Sequence, residues 1–352
     1  MTLLRHRFGC TTFAKVADSK DLREALDDIW LESETVIVKP NWVAVEPGGF
    51  TDAEIMRTLF EALDSRIVVT ESLHLGRSFN LLPDGLPFTA AGEEVRWRWL
   101  LKGDGWRWLY DEPEWGWFRE GGHWEQIVRE DEAFLDEQGF TDLFEEYGVE
   151  YVNTTDEVWR GRYADPSEVK GAVKSRFKPV RFERMYEMVP QRLYDLQGST
   201  FISFARLKQY ATFTLKNMFG LIVDPMRSWW HGPGNERIAQ SIVDINKVYH
   251  SLFDVYGVTT SIHGTAVPNP EGEHHGEYMG RYDVAEGLGF VACGRDLVAL
   301  DALLMGLTEG RIGAAERVNR EPISLAEEEG LGVSDSGALE AAKAQVGGWF
   351  TP

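Results

Sequence analysis

Cysteine is nearly absent from this chain. Two occur in 352 residues, Cys10 and Cys293. They stand far apart in apolar surroundings, outside any C-x-x-C or Cys/His cluster. A structural zinc and a cysteine-bound iron–sulfur cluster are thereby excluded as expectations, and the count fits a reducing compartment. Long apolar runs are missing too. None approaches a membrane span, and no apolar segment follows Arg5 and Arg7 in the manner of a signal peptide. The expectation is a cytoplasmic protein with no membrane partner. Positive charge is scarce: 36 Lys and Arg face 57 Asp and Glu, a net charge of −21. That argues against nucleic acid or an anionic membrane as a bulk partner. There is no Walker or dinucleotide glycine loop, and Gly287-Leu288-Gly289 is too short a match to count. No G-x-S-x-G and no serine triad can be assigned. Classical nucleotide hydrolases, nicotinamide oxidoreductases and serine hydrolases are set aside on these grounds.

What is present can build a core. Apolar residues make up 43% of the chain, enough for one large or two ordinary domains. Leu22, Ala25, Leu26 and Ile29 share one face of an expected helix from Leu22 to Trp30. Val36-Ile37-Val38 reads as a buried strand ending at Lys39-Pro40-Asn41-Trp42. Thr51-Asp52-Ala53-Glu54 reads as a capping box opening a helix through Leu63. Ile67-Val68-Val69-Thr70 is a second buried strand, ending at Glu71-Ser72. Strand, loop, helix, strand is the mark of a parallel sheet covered by helices. Ligands of such sheets gather beyond the carboxyl ends of the strands, where Lys39, Asn41, Glu71 and Ser72 stand.

Between residues 76 and 145 the character changes. Trp97-Arg98-Trp99, Trp106-Arg107-Trp108 and Trp115-Gly116-Trp117 recur every nine residues, with Trp124 on the next beat. Turn-like groups separate them, so a small antiparallel meander is expected, its tryptophans on one face. They would form the insert's own core or an aromatic platform over a site. The acidic run from Glu125 to Glu146 reads as a solvated helical face. Beyond it, Val149 to Asn153 and Phe201 to Phe204 read as strands, Lys170 to Arg184 as a basic hairpin, and Ile238 to Phe253 as a helix. Val255 to Ile262 and Leu288 to Ala292 read as strands, and Leu297 to Leu307 as a helix.

The segment after Phe204 concentrates the chemistry. Lys208, Lys216, Asn217, Arg227 and His231 fall among residues that are otherwise aromatic and apolar. Buried cations are costly unless paired, so the set points to a walled pocket awaiting an anion. The plain alternative is that these side chains reach the surface along their own stems. Arg suits a carboxylate or phosphate through its two-pronged donors. His231, beside Trp229-Trp230, could serve as acid or base or be a packed core histidine. Lys39 could act with Glu71 in proton transfer or be its structural ion pair. Glu273, His274 and His275, with Asp301, carry metal-ligand types and would hold a divalent metal. The competing reading is a hydrated loop, with Asp296 as a helix N-cap.

Five of these stretches fall in a recognisable order. Val36 to Trp42 resembles an opening V-I-K-P-N signature, and Ile67 to Ser72 a V-x-V-x-E-S/G strand. Leu207 to His231 resembles P-K-L-K-T-H-x-x-T-x-x-x-K-N-x-F-G with a trailing R-x-x-x-H. Gly294 to Gly306 resembles G-x-D-P-V-A-V-D-A-x-x-x-x-x-G, and Ala326 to Asp335 a closing A-x-x-x-G-L-G-x-x-D. Together they resemble the family called domain of unknown function 362, from about residue 34 to 335 apart from the Trp-rich insert. The family implies no single activity. Many members are fused to ferredoxin-like modules, for which this chain lacks the cysteines. The family's Thr-His is here Gln209-Tyr210, which removes a histidine from the expected site, and the Pro after Asp296 is Leu297. More loosely, the layout resembles lactate racemase-type proteins, which hold an anionic cofactor between two α/β lobes.

The expected fold is α/β, a mostly parallel sheet with helices on both faces. Residues 1–75 and 146–352 form the core in one or two lobes, and residues 76–145 form the Trp-rich antiparallel insert. The expected function is an enzyme acting on a small anionic metabolite, a carboxylate or phosphate. Asn41, Ser72, Lys208, Lys216, Asn217 and Arg227 would bind it, and Lys39, Glu71 and His231 would move protons in an isomerisation, elimination or group transfer. The alternative is a non-catalytic protein that binds or delivers an anionic ligand or cofactor.

Overall fold

The computed structural model describes residues 3–27, 33–43, 45, 47–74, 77, 87–90, 93–96, 123–208, 213–225, 227–269, 271–273, 281–286, 288–309 and 320–350. Twelve strands lie within them: β1 (Arg5–Phe8), β2 (Thr11–Lys15), β3 (Thr35–Lys39), β4 (Arg66–Glu71), β5 (Pro87–Ala90), β6 (Glu93–Arg96), β7 (Glu150–Asn153), β8 (Thr200–Arg206), β9 (Asp254–Thr260), β10 (Thr265–Pro268), β11 (Tyr282–Ala285) and β12 (Phe290–Gly294). Eight form one sheet in the order β1-β2-β12-β9-β8-β3-β4-β7. The run from β9 to β7 is parallel. β12 is antiparallel to both β9 and β2, and β2 to β1. The α/β reading thus holds, with an antiparallel third beside the parallel strands.

Period-two alternation explains the layering. Ile37, Val68 and Phe201 point to one face and join the core under the helix Ile238–Leu252. Val36, Val38, Ile67, Val69 and Ile202 point to the other and pack with the helices Ser19–Leu26 and Ala53–Ala62. Strands apolar on both faces must be covered on both, and near-continuous Val/Ile runs are the sequence form of that demand.

Several elements differ from the sequence expectation. The cap of the helix Ala53–Ala62 is Asp52, whose side chain accepts from Ile55 N. Thr51 instead accepts from Asn41 N through Oγ1 at 2.9 Å, so it braces the strand end. Lys170 to Arg184 is no hairpin: its first part, through Arg176, lies in the helix Pro166–Arg176, capped by Asp165 with proline in the first turn. The acidic run does form helices, His123–Glu137 and Phe140–Tyr147. They are more than a solvated face, because Phe134, Phe140, Leu143 and Phe144 are buried. Trp42 meets the rings of Phe134 and Phe140 at centroid distances of 5.5 and 4.4 Å. These helices therefore pack on the core, although the sequence reading placed most of them in the insert. Of the insert proper, β5 and β6 form an antiparallel hairpin, and the Trp repeat at 97–117 lies outside the described residues.

Candidate functional site

The carboxyl ends of β3, β4 and β8 converge on a buried polar cluster. Lys39 closes β3 and Glu71 closes β4, with exposures of 1% and 2%. Lys39 Nζ donates to Glu71 Oε2 at 2.8 Å, Pro40 O at 2.9 Å and Asn217 Oδ1 at 3.1 Å, so its three protons are all used. Glu71 Oε1 accepts from Ser72 N at 3.1 Å. Burial pulls the Lys39 ammonium down to about 8; Glu71 opposes that shift, while the charges of Arg227 and Arg77 add to it.

Asn217 ties the end of β3 to the middle of β8. Its Nδ2 donates to Lys39 O at 3.0 Å and to Ser203 Oγ at 3.2 Å. Its Oδ1 also accepts from Asn41 Nδ2 at 3.3 Å. Lys208, beyond the end of β8, reaches Asn41 Oδ1 at 2.6 Å and Gly49 O at 3.1 Å. Gly220 lies over the ion pair. A Cβ there would come within 2.7 Å of Lys39 Cε and 2.9 Å of Glu71 Oε1, and closer still to Lys39 Nζ. That close approach is a physical reason for the glycine in Asn217-Met218-Phe219-Gly220.

Arg227 and Ser72 form the next layer. Arg227 Nη2 donates to Ser72 Oγ and to Gly220 O, and Nε to Ile222 O at 3.3 Å. Arg77, also buried, donates from Nη1 to Trp42 O at 2.6 Å and from Nη2 to Ser72 O at 3.0 Å, and pairs with Asp131. Asp131 Oδ2 accepts from Tyr151 OH and Asn153 Nδ2, each at 2.9 Å. Two histidines share this positive field. His74 is held well below the ordinary value, first by burial and then by Arg227, Arg77 and His231. His231 is pulled down to about 4 by burial, with Lys216 and Arg227 adding to the effect. Its Nδ1 lies 2.9 Å from Asn235 Oδ1, and its ring meets Phe219 edge-on at 5.3 Å. Both imidazoles are therefore neutral at pH 7.

Lys39, Asn41, Glu71, Ser72, Lys208, Asn217 and Arg227 are thus joined by hydrogen bonds, with His231 and Lys216 coupled to them through charge. His74 and Arg77 escaped the sequence reading. Their one signal was position, three and six residues past the end of β4.

The metal set does not come together. Both Asp301 oxygens are committed to the start of the helix Thr214–Met218: Oδ1 accepts from Thr214 N and Oγ1, and Oδ2 from Phe213 N and Leu215 N. Those four donors fill the carboxylate's lone-pair positions. Burial still raises Asp301 to about 6, opposed by these donors. Glu273 is exposed at the base of the β10–β11 hairpin, where its carbonyl accepts from Tyr282 N at 3.2 Å. His274 and His275 lie outside the described residues. Among the described residues no group of three or more His, Cys, Asp or Glu is placed to hold a metal ion, and no helix is long and apolar enough to cross a membrane.

A largely parallel α/β sheet with a basic, buried polar cluster at its strand ends defines the class. The chain belongs to the family described as domain of unknown function (DUF362), whose model matches residues 36–305. Comparison with curated proteins and with solved structures finds no match.

Proposed function

We propose that this chain is an enzyme that binds a small anionic metabolite, a carboxylate or phosphate, beside Arg227 and His231 and moves a proton on it. The observation that carries the reading is the convergence of three chain segments, 39–41, 71–77 and 208–231, on one strand-end cluster. There Arg227 adds its field to those on Lys39, His74 and His231. An anion would relieve that mutual repulsion. His231, half-buried and neutral, is the proton carrier, with His74 as its neighbour in the same field. Lys39 and Glu71 satisfy each other and hold the strand ends in place. Isomerisation, elimination or group transfer suits such a set.

That commitment of Lys39 and Glu71 also favours a second reading, a protein that binds or delivers an anion without changing it. Sulfate, whose own charge is fixed over this range, separates the outcomes. An anion raises the pKa of a nearby histidine, so binding takes up a proton and affinity rises as pH falls from 7 toward 5. Titration calorimetry should show that rise in the wild type and a flatter profile in His231→Gln. A wild type that binds no sulfate, or a pH profile untouched by H231Q, sinks the anion site. A panel of hydroxy and oxo acids held in D2O then tests turnover by NMR. Deuterium entering carbon positions in the wild type but not in H231Q supports the enzyme. Sulfate binding with no exchange anywhere in the panel leaves the binding protein.

A further inference from the structure

An imidazole that moves a proton must present one bare nitrogen, and the partner of the other nitrogen decides which one that is. His231 ends the helix Ser228–His231, and the turn Gly232-Pro233-Gly234-Asn235 follows it directly. Its backbone is unusual. Gly232 and Gly234 have φ of 70° and 64°, and Asn235 follows at 67°. Glycine takes such angles freely, whereas other residues do so seldom, Asn being among the more tolerant. Among the described residues, Asn235 and His263 are the non-glycines with positive φ. A third glycine at 235 would be easier on the backbone, so the asparagine side chain offers something a glycine lacks. Burial is not the reason, because Asn235 is exposed. Its Oδ1 lies 2.9 Å from Nδ1 of His231.

An amide oxygen only accepts, so Nδ1 is the donor in this contact. The neutral imidazole has a single N–H, and with that proton on Nδ1 the lone pair stands on Nε2. The surrounding chain keeps the two side chains in register. Trp230 is fully buried; its Nε1 donates to Asp224 Oδ2 at 2.5 Å, and its carbonyl accepts from Ser241 Oγ at 3.0 Å. On the far side of the turn, Arg237 N donates to His231 O at 2.9 Å, and Arg237 Nη1 to Trp229 O at 2.9 Å. Within the turn, Asn235 N donates to Gly232 O at 3.0 Å. Backbone and packing therefore fix the geometry of the pair, and the contact itself has only to place the proton.

We propose that Asn235 is a positioning residue that holds the proton of His231 on Nδ1 and so makes Nε2 the nitrogen that takes a proton from the substrate. The inference rests on the reading of His231 as the proton carrier. A base whose second nitrogen is oriented by a third group is a recurring catalytic arrangement. Nitrogen-15 NMR at pH 8 reads the proton's position directly, and the signals missing from H231Q are those of His231. In the wild type Nδ1 should resonate as a protonated nitrogen and Nε2 as a bare one. Asn235→Gly keeps the left-handed backbone and removes the acceptor, so most of the proton should pass to Nε2. Asn235→Asp supplies an acceptor again on a residue that tolerates the same φ, and the wild-type pattern should return. Deuterium entry from D2O into the hydroxy and oxo acids should slow by roughly tenfold or more in N235G and recover largely in N235D. A wild-type ring protonated on Nε2, a wild-type tautomer in N235G, or undiminished exchange in N235G overturns the proposal. The expected tautomers with no exchange in any compound support the hold on Nδ1 and overturn only the proton-carrier reading beneath it.

Discussion

At the scale of single residues, Gly220 carries the sharpest constraint in the site. Its hydrogen occupies the space a methyl group would need, against the end of Lys39 and a Glu71 oxygen. Gly220→Ala should force the ion pair apart or shift the turn, at a cost of roughly 1–3 kcal/mol. Urea unfolding should show a lower midpoint with an unchanged slope, because the damage is local. A midpoint equal to the wild type would mean that the pair has room to spare. The residue identities of this cluster were largely readable in advance. Lys39, Asn41, Glu71 and Ser72 follow from where apolar strand runs stop. What could not be read was their state. Whether Lys39 faces a ligand or a carboxylate depends on the register of β3 against β4, and register is set by pairing partners far apart in the chain. His74 and Arg77 were hidden for the same reason: nothing local distinguishes them from loop residues.

At the scale of elements, the five-residue helix Thr214–Met218 is too short to stand alone. Asp301, from the helix Leu297–Thr308, caps it from a distance by taking up three backbone amides and a hydroxyl. Asp301→Asn keeps one acceptor oxygen and turns an NH2 toward two of those donors. The expected loss is about 1–3 kcal/mol for each donor left unmet. Because the same helix carries Lys216 and Asn217, sulfate affinity should fall along with stability. Unfolding and calorimetry on one preparation check both, and a variant that loses stability with full affinity would uncouple cap from site. The sequence showed Asp301 among apolar neighbours but not what it served, since its partners are more than 80 residues away. The basic stretch at 170–184 was misread for a different reason. Asp165-Pro166 at its start is a helix-opening pair, but only Val169 and Val173 of that helix are buried, which leaves a weak periodic signal.

At the scale of the whole molecule, charge is distributed against itself. The chain carries −21 overall, yet basic groups gather at the carboxyl ends of its parallel strands. Asp18, Asp52, Asp165, Asp296 and Asp335 place their charge at helix starts, while surface pairs such as Arg57–Glu146 and Arg66–Glu150 cancel one for one and leave the excess unchanged. All 21 surplus negative charges remain without a basic partner, so self-repulsion should oppose the folded state. Exposed ion pairs contribute little each, typically below about 1 kcal/mol, and salt weakens them. Repulsion summed over the whole surface is the larger quantity, and salt weakens that too as the Debye length falls from about 30 Å at 0.01 M to about 8 Å at 0.15 M. Raising NaCl across that range should therefore raise the thermal midpoint, by roughly 1 °C for each kcal/mol gained at this chain length. Differential scanning calorimetry with sodium chloride and choline chloride should give the same rise, because screening depends on ionic strength rather than on which cation is present. A midpoint that falls with salt would show that attractive pairs outweigh the net charge, and that the acidic excess is locally balanced.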